Sequence, residues 1–371
     1  MKIAHLSDVH LGYRDFNRTD PTGINQRQKD VEQAFVNALK VCLEIEPDLI
    51  IIAGDLFHAV RPTNYTVVAA FNHLARFQDH RNHKPLLIVA GNHETPKTAE
   101  AGNILALFRN IRGITVVTDR IERVRLEEFG ASVLCVPSRG VRDIQPTSLA
   151  PDPKSAVNLL CVHGPLQDVG RYRSDSSLPQ SHVIKAGWDY IALGDYHVFQ
   201  QLSPNACYSG STEYTTTNIW EELTVSKVVV EYDTDTKALT KHEIPQARKF
   251  LDLPIIDASG LEPAEVLEAM VGNAKEIDDA VARQKIVEID FEKRRRVSGE
   301  IVRQLKSRAL HYKMIFEAPH SLSVAAGRSL THGRTLEESW SEFMATAELP
   351  KTIDRRAVVA LGTKYLQEAA E

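Results

Sequence analysis

The sequence is poor in cysteine and contains no long apolar run. Its four cysteines, Cys42, Cys135, Cys161 and Cys207, are scattered and form no CxxC pair. The first three lie in apolar runs, so we expect buried thiols in a reducing compartment rather than disulfides or a thiolate metal site. No apolar run reaches about 18 residues, which argues against a membrane span. The chain opens directly on a predicted strand with no signal peptide pattern, so we expect a cytoplasmic protein.

A strong excess of positive charge is also missing. The chain has 44 basic and 49 acidic residues and a net charge of −5. This balance excludes a uniformly basic nucleic-acid binder, so any contact with a polyanion must come from a local group of bases. The 371 residues are enough for two domains.

Short apolar runs alternate with helical patterns through the first two-thirds of the chain. Runs at residues 3–6, 49–53, 86–90, 157–162 and 190–193 predict buried strands. Helical spacing of apolar residues at 26–46 and 64–77 predicts helices between the first three. This order predicts an α/β domain with helices outside a largely parallel sheet. Runs at 132–136, 207–209 and 226–232 have little helix between them and predict a second, more antiparallel sheet.

The composition changes near residue 245. Beyond it we expect a small unit with strands at 250–256 and 281–292 and helices at 262–276 and 298–312. A linker and two amphipathic helices at 336–345 and 355–368 follow. The predicted domains are therefore 1–245, 250–318 and a C-terminal segment over 319–371.

Five predicted strands each end in a motif rich in metal-ligand side chains. The motifs are Asp8-Val9-His10, Gly54-Asp55-Leu56-Phe57-His58, Gly91-Asn92-His93-Glu94, His163-Gly164 and Gly194-Asp195-Tyr196-His197. Loops at the carboxyl ends of strands in α/β sheets gather in one crevice. Carboxylate, amide and imidazole groups suit Mn²⁺, Fe²⁺ or Zn²⁺. A carboxylate bridging two such ions would give the site of a two-metal hydrolase, which activates water and neutralises phosphoryl oxygens.

Each motif alone has a simpler explanation. A Gly-Asp pair after a strand is commonly a turn or a helix cap. A lone histidine such as His163 is more often a satisfied polar residue than a ligand. Five ligand-bearing motifs at five strand ends are the stronger signal, and together they predict a metal site.

The order of these motifs resembles the calcineurin-like metallophosphoesterases. The stretches MKIAHLSDVHLGY and IIAGDLFH are similar, more specifically, to the SbcD-type nucleases, which are relatives of the meiotic-recombination-eleven nucleases. The resemblance is specific over roughly residues 1–215 and looser beyond. It implies a four-layer α/β/β/α sandwich with a small α+β capping domain and a C-terminal helical tail. It also implies two divalent ions, Mn²⁺ first and Mg²⁺ as the alternative.

The resemblance further implies a role for each motif residue. The first ion would be held by Asp8, His10, Asp55 and His197, and the second by Asp55, Asn92, His163 and Asp195. His93 would stabilise the transition state or protonate the leaving oxygen, and His58 would orient the phosphate. Glu94 would fix a neighbouring imidazole, and Tyr13 would lie beside the nucleotide.

The last motif departs from the family pattern. Asp195 stands where the family has a histidine ligand of the second ion. A carboxylate coordinates Mn²⁺ or Mg²⁺ well, so we expect a working site with less preference for softer ions. The competing interpretation is an impaired second site.

The C-terminal third suggests partners. Ten bases lie between Arg283 and Lys313, and Arg294, Arg295 and Arg296 are consecutive in a predicted loop. They are predicted to contact a DNA backbone, although a solvated helix face would look similar. Arg171 and Arg173 are weaker candidates. The resemblance implies that the C-terminal helices dock on an SbcC-type coiled-coil ATPase and that the chain forms a homodimer.

The sequence favours a DNA exonuclease, with endonuclease activity, acting in double-strand-break repair. A phosphomonoesterase or cyclic-nucleotide phosphodiesterase would share the metal motifs but needs neither the capping domain nor the tail. A non-catalytic DNA-end scaffold is the third hypothesis, because Asp195 departs from the family pattern.

Overall fold

The computed structural model of the chain describes residues 1–98, 102–144, 149–167, 169, 177–216, 218–297, 299–319, 336–347 and 354–368. It divides into two compact units, Met1–Phe250 and Leu251–Glu371. Within the described ranges, no helix combines the length and the apolar character that crossing a membrane requires.

The larger unit contains twelve strands and four α-helices among its described residues. The strands are β1 (Lys2–Leu6), β2 (Leu49–Ala53), β3 (Leu86–Val89), β4 (Ile114–Val117), β5 (Glu122–Leu126), β6 (Ala131–Val136), β7 (Val157–His163), β8 (Tyr190–Gly194), β9 (Gln200–Ser203), β10 (Ala206–Tyr208), β11 (Val228–Asp233) and β12 (Leu239–Glu243). The helices are α1 (Gln26–Ile45), α2 (Asn64–His80), α3 (Gln180–Val183) and α4 (Ile219–Glu222), and 3₁₀ turns occupy Ile104–Asn110, Glu127–Phe129 and Ser138–Asp143.

These strands form two six-stranded sheets. The first has the order β12-β11-β1-β2-β3-β4, and the second has the order β5-β6-β7-β8-β10-β9. In the first sheet β1 to β4 are parallel, as the strand–helix order predicts, and β11 joins β1 antiparallel. In the second sheet the central pairings β6–β7, β7–β8 and β8–β10 are parallel, and only β5 and β9 at its edges are antiparallel.

Alternate residues of each central strand face different layers. In β2, Ile50 and Ile52 pack in a core that contains Phe35 of α1, whereas Ile51 and Ala53 pack in a core shared with the second sheet. A third core lies on the far side of the second sheet and contains Val183 of α3. The predicted four-layer α/β/β/α sandwich is confirmed by this arrangement, because side chains alternate across a strand and each face must be covered.

Two expectations about the second sheet are wrong. Most of its pairings are parallel, and the predicted strand at 226–232 is β11, which belongs to the first sheet and pairs Val230 with His5. The apolar pattern shows that a strand is buried but does not identify the neighbour to which it hydrogen-bonds, and this explains both errors.

The smaller unit is an α+β fold around its own core. Its elements are β13 (Phe250–Asp252), β14 (Ile256–Asp257), α5 (Pro263–Asn273), β15 (Val281–Val287), α6 (Phe291–Arg296), α7 (Gly299–Arg308) and β16 (His311–Phe316). β15 lies between its parallel neighbours β14 and β16.

Four details of this unit differ from the prediction. The strand expected over 250–256 is two short strands, and the helix expected over 298–312 ends at Arg308, before β16. The strand expected over 281–292 ends at Val287, and Arg294 to Arg296 lie on α6 rather than in a loop. Asp290 explains the last difference, because its carboxylate accepts a hydrogen bond from the amide of Lys293 and begins a helix.

Two helices follow near the C-terminus, α8 (Leu336–Thr346) and α9 (Arg355–Glu368). Trp340 of α8 donates from Nε1 to the carbonyl of Val359 in α9, 3.1 Å away. The linker predicted over residues 318–334 lies almost wholly outside the described residues. The prediction of buried thiols is confirmed, because all four cysteines are buried and unpaired.

Candidate metal centre

The five motifs meet at one edge of the larger unit, and they come from both sheets. β1, β2 and β3 of the first sheet deliver three motifs, and β7 and β8 of the second deliver the other two. The sheets touch here, since Nδ1 of His163 donates to the carbonyl of Ala53, 2.8 Å away. Because a carbonyl only accepts, this bond leaves the lone pair of neutral His163 on Nε2, which is the atom available to a metal.

Glycine is required at two close approaches in this crevice, one within the first sheet and one between the two sheets. A Cβ on Gly91 would lie 1.9 Å from Oδ1 of Asp55, and a Cβ on Gly194 would lie 1.8 Å from the carbonyl oxygen of Ala53. No side chain fits at these distances, so the glycines of these motifs permit close approach rather than simply closing turns.

Four of the predicted ligands have a left-handed backbone. The φ angles are 52° at Asp8, 53° at His10, 53° at Asp55 and 104° at Asp195. Non-glycine residues rarely adopt this region, and such strain concentrates at functional sites. These residues lie one to four positions after the ends of β1, β2 and β8.

One group of ligand atoms surrounds the amide of Asn92. Its Oδ1 lies 2.9 Å from Nε2 of His163. The same Asn92 oxygen lies 3.3 Å from Oδ2 of Asp55 and 3.3 Å from Oδ1 of Asp195. Nε2 of His163 is itself 3.5 Å from Asp55 and 3.7 Å from Asp195.

A second group surrounds His10. Its Nε2 lies 3.0 Å from Nε2 of His197 and 3.7 Å from Oδ2 of Asp55. Asp8, His10 and His197 each place a ligand atom within 4.8 Å of the other two. The carboxylate of Asp55 therefore lies between the two groups.

The chemistry of these groups fits bound cations. The atoms that face one another are carboxylate and amide oxygens and imidazole nitrogens, all of which can donate a lone pair. Ligands of one ion at about 2.1 Å lie about 3 to 3.5 Å from each other, which is close to the spacing seen here.

Burial perturbs the titration of this site. Asp8, His10, Asp55 and His163 are almost fully buried. Burial raises the pKa of Asp8, and it raises the pKa of Asp55 to about 7. Burial lowers the pKa of His197 to about 3. Burial also acts to lower the pKa of His163, but Asp55, Asp8 and Asp195 outweigh it and hold that pKa at about 9. The carboxylates thus attract positive charge into a dry crevice.

His93 and His58 lie at the rim. Nδ1 of His93 donates to the carbonyl of His58, 2.8 Å away, which leaves Nε2 facing the site at 3.9 Å from Oδ2 of Asp55. The His93 side chain is 35% exposed, so its Nε2 can reach a bound substrate. Burial and the neighbouring His93 lower the pKa of His58.

Glu94 holds two motifs together through the backbone. Its carboxylate accepts hydrogen bonds from the amides of Phe57, at 2.6 Å, and Gly91, at 3.0 Å. The expected imidazole partner is therefore replaced by two backbone amides. Glu94 fixes the loop of Asp55 against the loop of Asn92, which a fully buried carboxylate can do because both oxygens are satisfied.

Tyr13 is buried and packs edge-to-face on His58 with ring centroids 5.0 Å apart. Its hydroxyl donates to Asp15 at 3.2 Å. The ring thus supports His58. Only 9% of Tyr13 is exposed to solvent, which leaves little of its surface for a substrate to contact.

No sequence pattern pointed to Lys227, which lies one residue before β11. Its Nζ donates to the carbonyl of His197 at 3.0 Å and to Oγ of Ser211 at 2.8 Å, and it pairs with the buried Glu222. Thr215 lies on the other side of His197, with its Oγ1 3.3 Å from Nδ1. These contacts fix the loop that carries His197. A lone lysine far from every motif has no pattern by which it could be found.

The remaining predicted DNA contacts are not in this cluster. Arg294, Arg295 and Arg296 are exposed on α6 of the smaller unit. Arg171 and Arg173 lie outside the residues that the structure describes.

Comparison with known proteins identifies similar chains. The sequence model of the calcineurin-like phosphoesterase family matches residues 1–230. The DNA double-strand break repair protein Mre11 of Methanocaldococcus jannaschii is 28% identical over 289 residues, which are 76% of this chain and 72% of the relative. Mre11 of Sulfolobus acidocaldarius is 27% identical over 53% of this chain and 50% of the relative. Mre11 of Methanopyrus kandleri is 26% identical over 73% of this chain and 62% of the relative. The alignments with these last two relatives thus span between half and two thirds of their length.

Proposed function

This chain belongs to the calcineurin-like phosphoesterase family, and we propose that it is a metal-dependent nuclease that hydrolyses phosphodiester bonds in DNA during double-strand-break repair. The observation that carries the proposal is the pair of ligand groups that share Asp55. The relatives named as DNA double-strand break repair proteins support DNA as the substrate. We infer exonuclease action at DNA ends, with endonuclease activity.

Two ions would be held by seven residues. Asp8, His10, Asp55 and His197 would hold the first, and Asp55, Asn92, His163 and Asp195 the second. Bound divalent ions supply an activated water and neutralise phosphoryl charge. Mn²⁺ is the proposed metal and Mg²⁺ the alternative, because hard carboxylate and amide oxygens complete both groups.

Asp195 is the proposed fourth ligand of the second ion. Its Oδ1 lies among the atoms of that group, and its amide is 3.1 Å from both carboxylate oxygens of Asp8. The carboxylate adds negative charge, so we expect less preference for softer ions than a histidine would give.

A side chain of the protein, His93, would supply the proton to the leaving group. The bond from Nδ1 of His93 to the His58 carbonyl directs Nε2 into the site. The imidazolium form of His93 would donate from Nε2 to the leaving oxygen. His58 would orient the scissile phosphate, and Tyr13, whose ring packs on His58, would position it beside the nucleotide.

The other proposed contacts involve larger partners. Arg294, Arg295 and Arg296 would contact DNA phosphates. We propose that residues 1–245 form the catalytic domain and residues 250–318 a capping domain. The helices α8 and α9 expose Phe343, Leu361 and Tyr365, apolar side chains of the kind that dock in a partner's groove. We propose an SbcC-type coiled-coil ATPase as that partner.

A homodimer is proposed through α2, where Tyr65 and Val68 are exposed beside an open groove of about 480 Å³. Four buried, unpaired thiols are compatible with a reducing compartment, and the cytoplasm is the proposed location.

The test is hydrolysis of end-labelled linear duplex DNA by the purified chain with Mn²⁺, Mg²⁺ or EDTA. We expect shortening with Mn²⁺, none with EDTA, and a loss of about 100-fold or more in His93→Ala. The variant Asp195→Ala should bind one ion fewer, and Asp195→His should restore the count and favour softer ions. Lys237→Met, a surface change, is the matched control.

Two outcomes would contradict the proposal. Hydrolysis of p-nitrophenyl phosphate without DNA cleavage would indicate a phosphomonoesterase. DNA binding without cleavage in any metal would indicate a scaffold.

A further inference from the structure

Phe291 is an exposed aromatic side chain in the basic part of the smaller unit. Its exposed fraction, 68%, is the largest of any large hydrophobic side chain among the described residues. It begins α6, in which four consecutive bases follow at residues 293–296. Single exposed apolar residues are common and need no function, so the surroundings of this ring decide what it can do.

The helix that carries Phe291 is fixed on its unit. Oδ1 of Asp290 accepts from the amide of Lys293 at 2.8 Å and caps the helix. Nζ of Lys293 donates to the carbonyl of Leu261, 2.9 Å away, and the guanidinium of Arg294 lies 4.7 Å from the ring centre of Phe316. Phe291 therefore projects from an anchored turn of helix rather than from a loose segment.

The charge around the ring is positive. The guanidinium carbon of Arg295 lies 5.8 Å from the centre of the Phe291 ring, and Arg295 and Arg296 are both exposed. Two acids flank Phe291 in the chain, Asp290, whose carboxylate caps the helix, and Glu292. Two other bases of this unit differ, because Arg283 and Arg308 are each paired with an aspartate by two hydrogen bonds.

A flat apolar face beside guanidinium groups matches a ligand that carries a ring and a phosphate. Nucleobases stack on aromatic side chains whatever their sequence, while arginines contact the backbone. Inside a duplex both faces of each base are covered by its neighbours, so an unpaired base offers Phe291 a face that an internal base pair does not.

We propose that Phe291 stacks on an unpaired base of single-stranded DNA, with Arg295 and Arg296 contacting the adjacent phosphates. This inference rests on the proposed nuclease function, for which it supplies a preference for unpaired or frayed ends. The exposed ring has little packing to lose, so its variants should fold normally.

The experiment measures binding of the full chain in EDTA to a labelled single strand and to a labelled, relaxed circular duplex that is covalently closed and so has neither ends nor unpaired bases. The variants are Phe291→Ala, Phe291→Leu and Phe291→Trp, with Phe343→Ala, which removes another exposed phenylalanine, as the control. We expect Phe291→Ala and Phe291→Leu to weaken single-strand binding by about 5- to 100-fold with an unchanged salt slope. Phe291→Trp should bind like the wild type, since it keeps an aromatic face, and the closed duplex should not discriminate between the variants. Arg296→Ala should weaken the binding of both ligands and reduce the salt dependence of that binding.

Several results would overturn the inference. The inference fails if Phe291→Ala or Phe291→Leu binds the single strand as tightly as the wild type does. It also fails if the variants lose as much affinity for the closed duplex as for the single strand, or if the wild type does not bind the single strand. Cleavage of duplex DNA, measured separately with Mn²⁺, distinguishes the two proposals. If the wild type cleaves DNA but Phe291→Ala binds the single strand normally, the stacking proposal is refuted and the nuclease proposal stands. If the wild type does not cleave DNA, the nuclease proposal itself is refuted.

Discussion

Replacing Lys227 with methionine should both destabilise the larger unit and weaken its metal site. Lys227 and Glu222 are 3% and 4% exposed and form a buried ion pair. Methionine keeps much of the volume of the lysine side chain but leaves the carboxylate of Glu222 buried without its cation. The carbonyl of His197 also loses the donor that lies 3.0 Å away.

Breaking one side of a buried ion pair costs about 3 to 5 kcal/mol in the free energy of unfolding. For a unit of about 250 residues each kcal/mol corresponds to about 2 to 4 °C, so the melting temperature should fall by about 6 to 20 °C. Loss of a contact behind a ligand typically lowers metal affinity by about 10- to 100-fold, and we expect the lower part of that range because Thr215 still contacts His197.

Thermal unfolding and Mn²⁺ titration measure the two effects. The double variant Lys227→Met/Glu222→Met should recover most of the stability, because it leaves no unpaired charge, but not the metal affinity. Lys237→Met is the matched control, since Lys237 pairs with Asp189 at the surface with 55% of its side chain exposed and should change stability by less than about 1 kcal/mol. A fall of less than about 1 kcal/mol in Lys227→Met, or a double variant as unstable as the single one, would refute the reasoning.

Three further predictions follow from single contacts. Gly91→Ala places a Cβ 1.9 Å from Oδ1 of Asp55 and should lower Mn²⁺ affinity at least about 10-fold in a titration, whereas Gly272→Ala, with nothing within 4 Å, should not. Burial lowers the pKa of His5 to about 3, so between that value and about 6.5 the unfolded chain binds the proton more tightly. Wild-type stability should therefore fall, relative to His5→Leu, by up to about 1.4 kcal/mol per pH unit as the pH drops below about 6.5; urea unfolding in EDTA that gave parallel pH curves would contradict this. All four cysteines are buried and the pKa of each thiol is raised by burial, so a thiol reagent at pH 8 should modify none in the native chain and four after denaturation, and rapid native reaction would show that a cysteine is accessible.

Much of the catalytic unit was predictable from local pattern. The parallel order of β1 to β3 follows from strands separated by amphipathic helices, and the motif residues follow from their positions directly after those strands. Asp8, Asp55 and His163 could be named because ligand chemistry is visible in residue type and position, and the family resemblance supplied the division into two ion sites.

The tertiary structure decided what depends on contacts between distant segments. It paired β11 with β1 in the first sheet, drew the five motifs from two sheets, and gave Glu94 two backbone amides in place of an imidazole. It also placed Lys227 behind His197. Hydrophobic periodicity indicates which side of an element is buried, and residue type indicates which chemistry is available. Neither identifies the strand that pairs with a given strand, because that pairing depends on how the whole chain packs.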